Sequence, residues 1–276
     1  MPNDEYSRFS VPKPPAPDSS TRVIALCNQK GGVGKTTTAI NLAASLAYYG
    51  RKVLLVDSDP QGAASAALNV NAYAVELTVY NLMMDNSISP TEAIVKTGIE
   101  RLDLIPANID LAAAEISLVT EVGRESTLKR VVDRLRSDYD VILIDCQPSL
   151  GLLTINALTA ADAVIIPLAA EYFALRGVKL LMDTIEKVQS RLNPDLQVDG
   201  ILTTMFNAQT LHSSEVVKTL EEGFHDKLFE TIIRRTVKFP DSSVASQTML
   251  QFSPKHPATL AYLQLAREVI AKGFVS

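Results

Sequence analysis

Short apolar runs recur along the chain at 23–27, 53–56, 102–106, 141–144, 163–167 and 198–206. They are too short for core helices, and the run Val53-Leu54-Leu55-Val56 lacks polar alternation, as expected of strands covered on both faces of a parallel sheet. The segments between them carry helical signals. Residues 38–46 follow a glycine loop, 125–137 are amphipathic, and 176–192 stop just before Pro194. Ser89-Pro90-Thr91-Glu92 has the form of a capping box with proline at the first helical position, so a helix is expected to begin there. Short helical material is expected up to Val119. In the last helix, 257–272, the residues Leu260, Leu263, Ala266, Val269 and Ile270 are placed on one side, facing the sheet. Strands alternating with helices predict an α/β fold with a doubly wound, mainly parallel sheet, whose ligands sit at the carboxyl ends of the strands.

The chemistry-bearing residues fall at those ends. The first strand runs into Asn28-Gln29-Lys30-Gly31-Gly32-Val33-Gly34-Lys35-Thr36-Thr37 and then directly into a helix. Glycines allow a tight turn with successive N–H groups aimed inward, and the helix adds its positive end, so the stretch is an anion cradle. Lys35 is placed to reach β- and γ-phosphates and the Thr36 hydroxyl to ligate Mg²⁺. The usual phosphate loop has a glycine where Gln29 stands. A second lysine, Lys30, is either a solvated loop residue or a further functional group. The second strand ends in Asp57-Ser58-Asp59-Pro60-Gln61-Gly62, where the two carboxylates either cap the following helix or serve the phosphate site. Val141-Ile142-Leu143-Ile144 leads to Asp145, the form of an aspartate that holds Mg²⁺ through water.

At 276 residues and 47% hydrophobic content the chain has enough material for one large domain, expected at 21–276. Residues 1–20 include a proline-rich polar stretch with too few apolar groups to fold, and are expected to be a disordered tail. The sequence holds no apolar run of membrane-spanning length and no apolar signal core, so a cytoplasmic protein is expected. Cys27 and Cys146 close two strands beside the phosphate site and are read as small buried hydrophobes. A net charge of −5 requires any nucleic-acid binding to come from a local patch. The densest basic segment is 232–240, with Arg234, Arg235 and Lys238, read either as a phosphate-contacting strand and turn or as a solubilising edge strand. The basic residues of 124–136 are offset by Glu125, Asp133 and Asp138 and read as a solvated face.

The string Lys30-Gly31-Gly32-Val33-Gly34-Lys35-Thr36-Thr37 resembles the deviant Walker A motif of the ParA/MinD family of P-loop NTPases, and Val-Asp-Ser-Asp-Pro-Gln-Gly at 56–62 resembles its second motif. The resemblance extends from about Thr21 to the C-terminus. It implies that ATP is bound by Lys30, Gly31, Gly32, Val33, Gly34, Lys35, Thr36 and Thr37, with Asn207 bordering the adenine. Lys30, Lys35 and Asp59 are implied as catalytic, Asp59 by orienting the attacking water and Lys30 by reaching across a dimer interface to the partner's nucleotide. Thr36, Asp57 and Asp145 are implied to serve Mg²⁺. The family resemblance further implies an ATP-dependent homodimer, non-specific DNA binding, here assigned to Arg234, Arg235 and Lys238, a ParB-like partner, and a nucleoid-associated role in chromosome or plasmid partitioning.

The sequence departs from the family at Gln147, where a second proline is usual, and at Gln209, where an arginine implicated in DNA contact is common. Asp-Cys-Gln-Pro-Ser-Leu-Gly and Phe-Pro-Asp-Ser-Ser-Val-Ala resemble actinobacterial ParA-like members most. A MinD-like membrane switch is the alternative, disfavoured because the last helix lacks clustered basic residues. An electron-transfer ATPase similar to the nitrogenase iron protein would need cysteines free to share a cluster, and Cys27 and Cys146 are committed to the phosphate site. A ligase resembling dethiobiotin synthetase lacks any residue that identifies a small substrate.

Overall fold

The computed structural model describes residues 8–16, 20–171 and 174–276. Its centre is a seven-stranded sheet: β1 (Arg22–Leu26), β2 (Val53–Ser58), β3 (Val95–Lys96), β4 (Leu102–Ile105), β5 (Val141–Cys146), β6 (Ala163–Ala169) and β7 (Gln197–Thr204), in the spatial order β3-β4-β2-β5-β1-β6-β7. Every neighbouring pair is parallel except the two-residue β3, which runs antiparallel along β4.

The predicted apolar runs form strands because both of their faces are covered. Along β1 and its end, Val23, Ala25 and Cys27 pack into one core, while Ile24 and Leu26 pack into the other. The first core lies under α3 (Val79–Met84), α4 (Leu111–Ser117), α5 (Thr127–Asp133), α6 (Leu152–Ala160), α7 (Ala174–Arg191) and α8 (Leu211–Phe224). The second lies under α1 (Lys35–Tyr48), α2 (Ala63–Ala67) and α11 (Pro257–Ala271), with α9 (Lys238–Val244) and α10 (Met249–Phe252) beside them. This is the doubly wound arrangement expected from the alternation of elements.

Several local expectations change. The Ser89 capping box forms, with Ser89 N donating to Glu92 Oε1 at 3.1 Å, but it heads a single 3-10 turn, Pro90–Ala93. Ile94 and Val95 then turn extended, because Val95 joins the sheet opposite Leu104. The amphipathic stretch at 125–137 shortens to α5 between two 3-10 turns, Arg124–Ser126 and Arg136–Asp138. Arg136 is drawn out of the helix by a two-pronged pair with Asp162, at 2.8 and 2.9 Å. In α11 the buried face is Ala258, Tyr262, Leu265, Ala266 and Val269, joined by Leu263, whereas Leu260 is exposed. That face packs against α1.

The described part of the proline-rich tail, 8–16, has no helix or strand. It is held at its beginning: Arg8 pairs with Glu230 at 3.0 Å, and Arg267 Nη1 donates to the Phe9 carbonyl at 3.3 Å. Among the described residues no helix is long and apolar enough to cross a membrane.

Candidate functional site

The phosphate loop connects the end of β1 to the start of α1 and is pinned at three places. The Asn28 amide donates to Pro167 O at 2.8 Å while its Oδ1 accepts Lys30 N at 3.0 Å, a side-chain turn two residues long. The Thr204 hydroxyl, at the end of β7, donates to Val33 O at 2.8 Å. Gly32 and Gly34 take φ of 73° and 84°, a region costly for any residue with a Cβ. Gly34 is also the residue before α1 and brings no capping side chain, so the first N–H groups of a 14-residue helix are left for a ligand.

Lys35 is buried, and its Nζ donates to Lys30 O at 3.1 Å. Burial lowers its pKa from the usual lysine value, partly offset by the fields of Asp145, Cys146 and Asp59. A desolvated ammonium held by a neutral carbonyl is under-compensated, and an anion in the loop would complete its pairing. Lys30 instead forms an ion pair with Glu171 of its own chain, both half in solvent.

Asp57 and Asp145 stand opposite one another on β2 and β5. Their surroundings differ. Asp57 accepts Ser65 N at 2.9 Å, Ser65 Oγ at 2.7 Å and Asp59 N at 3.2 Å, which offsets only part of the burial that pushes its pKa up to about 6. Ser65 also receives Ala107 N at 3.2 Å, so Asp57 ties α2 to the segment after β4. Gly62 makes that approach possible: a Cβ there would lie 2.6 Å from Ala107 O. Asp145 is fully buried and neither of its oxygens has a hydrogen-bond partner. Burial and the neighbouring Asp57 raise its pKa well above the ordinary range, while Thr36 and Lys35 beside it partly offset the shift without bonding geometry. This orphaned carboxylate next to a hydroxyl suits a hard cation that keeps several waters and takes few protein oxygens. No cluster of three or more His, Cys, Asp or Glu that could hold a metal occurs among the described residues.

Asp59 is slightly exposed at the rim, with Oδ1 accepting Gln61 N at 2.9 Å. Cys27 and Cys146 are buried free thiols with Sγ atoms 2.8 Å apart, and burial holds the Cys146 pKa well above its usual value. Asn207 follows β7 on the same rim, where its Oδ1 accepts Gln209 N at 3.0 Å.

The basic segment is neither a free strand nor wholly available. It runs parallel beside the end of β7, Phe206 N donating to Ile233 O at 3.1 Å and Arg235 N to Phe206 O at 3.0 Å. Arg234 and Arg235 are exposed there. Lys238 belongs to α9, where Asp241 at 3.5 Å and the Phe252 ring, 5.7 Å from Nζ to its centre, already engage it. Sequence reasoning missed Ser65, Thr204 and Glu171. Asn28 carried a readable signal, since asparagine at a strand end favours a bond to the amide two residues on.

A family model described as AAA domain matches residues 21–198. The chain is 52% identical to an uncharacterized protein of Mycobacterium tuberculosis over 259 residues, covering 93% of this chain and 81% of that one. It is 46% identical to the sporulation initiation inhibitor protein Soj of Bacillus subtilis over 252 residues, covering 91% and 99%. Among solved structures, cobyrinic acid a,c-diamide synthase of Mycobacterium smegmatis with bound ADP and magnesium superposes with a TM-score of 0.81 at 39% identity, covering 92% and 95%. With the loop, the strand-end carboxylates and these likenesses in agreement, the chain belongs to the ParA/Soj family of AAA-domain ATPases.

Proposed function

We propose that ATP with Mg²⁺ fills the cradle and switches the protein to a homodimer that binds DNA without sequence preference, in a partition system with a ParB-like partner. The observation that carries this reading is the under-compensated charge at the strand ends: Lys35, bonded to a carbonyl, and Asp145, whose oxygens accept no hydrogen bond, both beside a helix start that no side chain caps. A polyphosphate carrying a hard divalent cation satisfies both. The ADP and magnesium of the M. smegmatis relative support the same occupancy here.

In this reading Lys35 and the loop amides hold the β- and γ-phosphates, and Thr36 and Asp145 hold the cation, which neutralises phosphate charge during transfer. Asp59 orients the attacking water. Asp57 shapes the site through Ser65 and the Asp59 amide, and supports the cation shell only through its field. Lys30 leaves Glu171 to reach the partner's nucleotide. Dimerisation places two copies of Arg234 and Arg235 on one particle, so the second pair engages DNA at high effective concentration despite a net charge of −5. The apolar face of α11 is occupied by α1, which argues against a MinD-like membrane role for it. The test is a DNA-binding titration with ATP, ADP or no nucleotide over a salt series, alongside light scattering. Salt-sensitive binding only with ATP, lost in a monomeric Lys30→Ala that still binds ATP, is expected. DNA binding by that monomer would overturn the reading.

A further inference from the structure

The loop that follows Asp145 runs beside the phosphate loop: a Cβ built on Gly31 would lie 3.9 Å from Pro148 Cβ. Its conformation therefore bears on how the phosphates are presented. One side of the loop is self-supported. Ser149 N donates to Gln147 O at 2.9 Å, Gly151 N to Ser149 Oγ at 3.1 Å, and the Thr154 hydroxyl of α6 to Ser149 O at 2.8 Å. The other side is held from outside, by Glu115 among the described residues. Glu115, on α4, accepts a 2.9 Å bond from Gln147 Nε2. The same carboxylate is lodged over Gly151, since a Cβ there would come within 2.4 Å of Glu115 Oε1. Gln147 is buried while Glu115 is partly exposed, so the bond joins a loop at the site to the surface of α4.

We infer that Glu115 is a positioning residue for hydrolysis, acting through Gln147 to hold the 146–151 loop in register with the phosphate loop. The inference rests on the ATPase reading of the site. A charge-assisted side-chain bond at a partly buried position restricts the loop without touching the nucleotide, so its loss should lower turnover and leave ATP affinity alone. The glutamine at 147 gives the loop an adjustable tether where a rigid residue would need none.

The test compares Glu115→Ala, Gln147→Ala, the double variant and Glu115→Gln by steady-state ATP hydrolysis and ATP binding in the full chain. Each alanine variant is expected to lose about tenfold in kcat with KM held within about twofold, as removal of one charge-assisted bond predicts. The double variant should be no worse than either single, because both remove the same bond. Glu115→Gln keeps an acceptor of the same length and should return activity to within about threefold of wild type. Hydrogen exchange gives a readout independent of turnover: the Ser149 and Gly151 amides should exchange about tenfold faster in Glu115→Ala than in wild type, with the rest of the sheet unchanged. Wild-type kcat in Glu115→Ala, losses that multiply in the double variant, or unaltered exchange at those amides would overturn the inference. Absence of hydrolysis by the wild-type protein would instead sink the ATPase reading, and the exchange comparison would still decide whether the tether exists.

Discussion

The two ends of the sheet treat buried charge in opposite ways. At the amino end, each charge has an oppositely charged protein partner, although Arg22 Nε and Asp199 Oδ2 stay unbonded. Arg22 on β1 pairs with Asp199 on β7 at 3.0 Å, Arg136 grips Asp162, and Asp103 on β4 receives both Lys96 and the Tyr139 hydroxyl at 2.8 Å. At the carboxyl end, Asp145 has none, Asp57 has only neutral donors and a like charge opposite, and Lys35 has a carbonyl. Pairing at the first end stabilises the fold, and its absence at the second creates a demand for ligand. A protein under selection for stability alone would have filled both.

The largest test of that contrast is Lys35→Ala. It removes the charge that the proposed function assigns to the phosphates, so ATP affinity should fall by more than about 3 kcal/mol, over a hundredfold, by calorimetry, with little change in the melting of the nucleotide-free protein. Unchanged affinity would break the comparison outright. At the other end, Arg22→Met strands Asp199, whose carboxyl burial already lifts to about 6 even with its partner present. Because Arg22 is itself partly exposed, a loss of about 2 kcal/mol in urea unfolding is expected, with ATP affinity intact.

Asp145→Asn should do the reverse of Arg22→Met. It removes an unpaired buried charge and so stabilises the nucleotide-free protein by about 1 kcal/mol near pH 8, while abolishing the extra stability conferred by Mg²⁺ and ATP. The sign follows from the raised pKa: the folded state holds its proton to higher pH than the unfolded chain does, so the wild-type protein loses stability as pH rises above the ordinary carboxylate range. The advantage of the variant should therefore shrink to nothing as pH falls towards about 4 in a series of thermal melts. Lys96→Ala is the smallest change, below about 0.5 kcal/mol, since the lysine is mostly exposed and Asp103 keeps Tyr139.

The sequence disclosed six of the seven strands and the phosphate loop because each is written locally, in a doubly apolar run or a glycine string, whereas the two-residue edge strand β3 was missed. Asp57, Asp59 and Asp145 were legible as a group because all three close such runs. Their division of labour was not, since it depends on Ser65, eight residues beyond Asp57, and on Asp145 accepting no hydrogen bond. The turn at Ser89 shows the limit of local signals: its capping box is real, and tertiary pairing of Val95 with β4 still stopped a helix from growing. Lys238 looked like part of a basic strand because the short helix that starts at it, and that brings Asp241 and Phe252 to its side chain, was not read from the sequence. Glu115 was hidden for the same reason, being 32 residues from the glutamine it holds.

The segment running beside β7 has a consequence for self-association. By taking the backbone groups of Ile201, Thr203 and Phe206 into its own hydrogen bonds, it closes that border of the sheet, and at the opposite border β3 is only two residues long and carries a lysine. Long open borders invite strand-to-strand joining between molecules, which is indiscriminate and difficult to reverse. With both borders blunted, the homodimer proposed above would have to form through side chains and loops, contacts that a bound nucleotide could make or release.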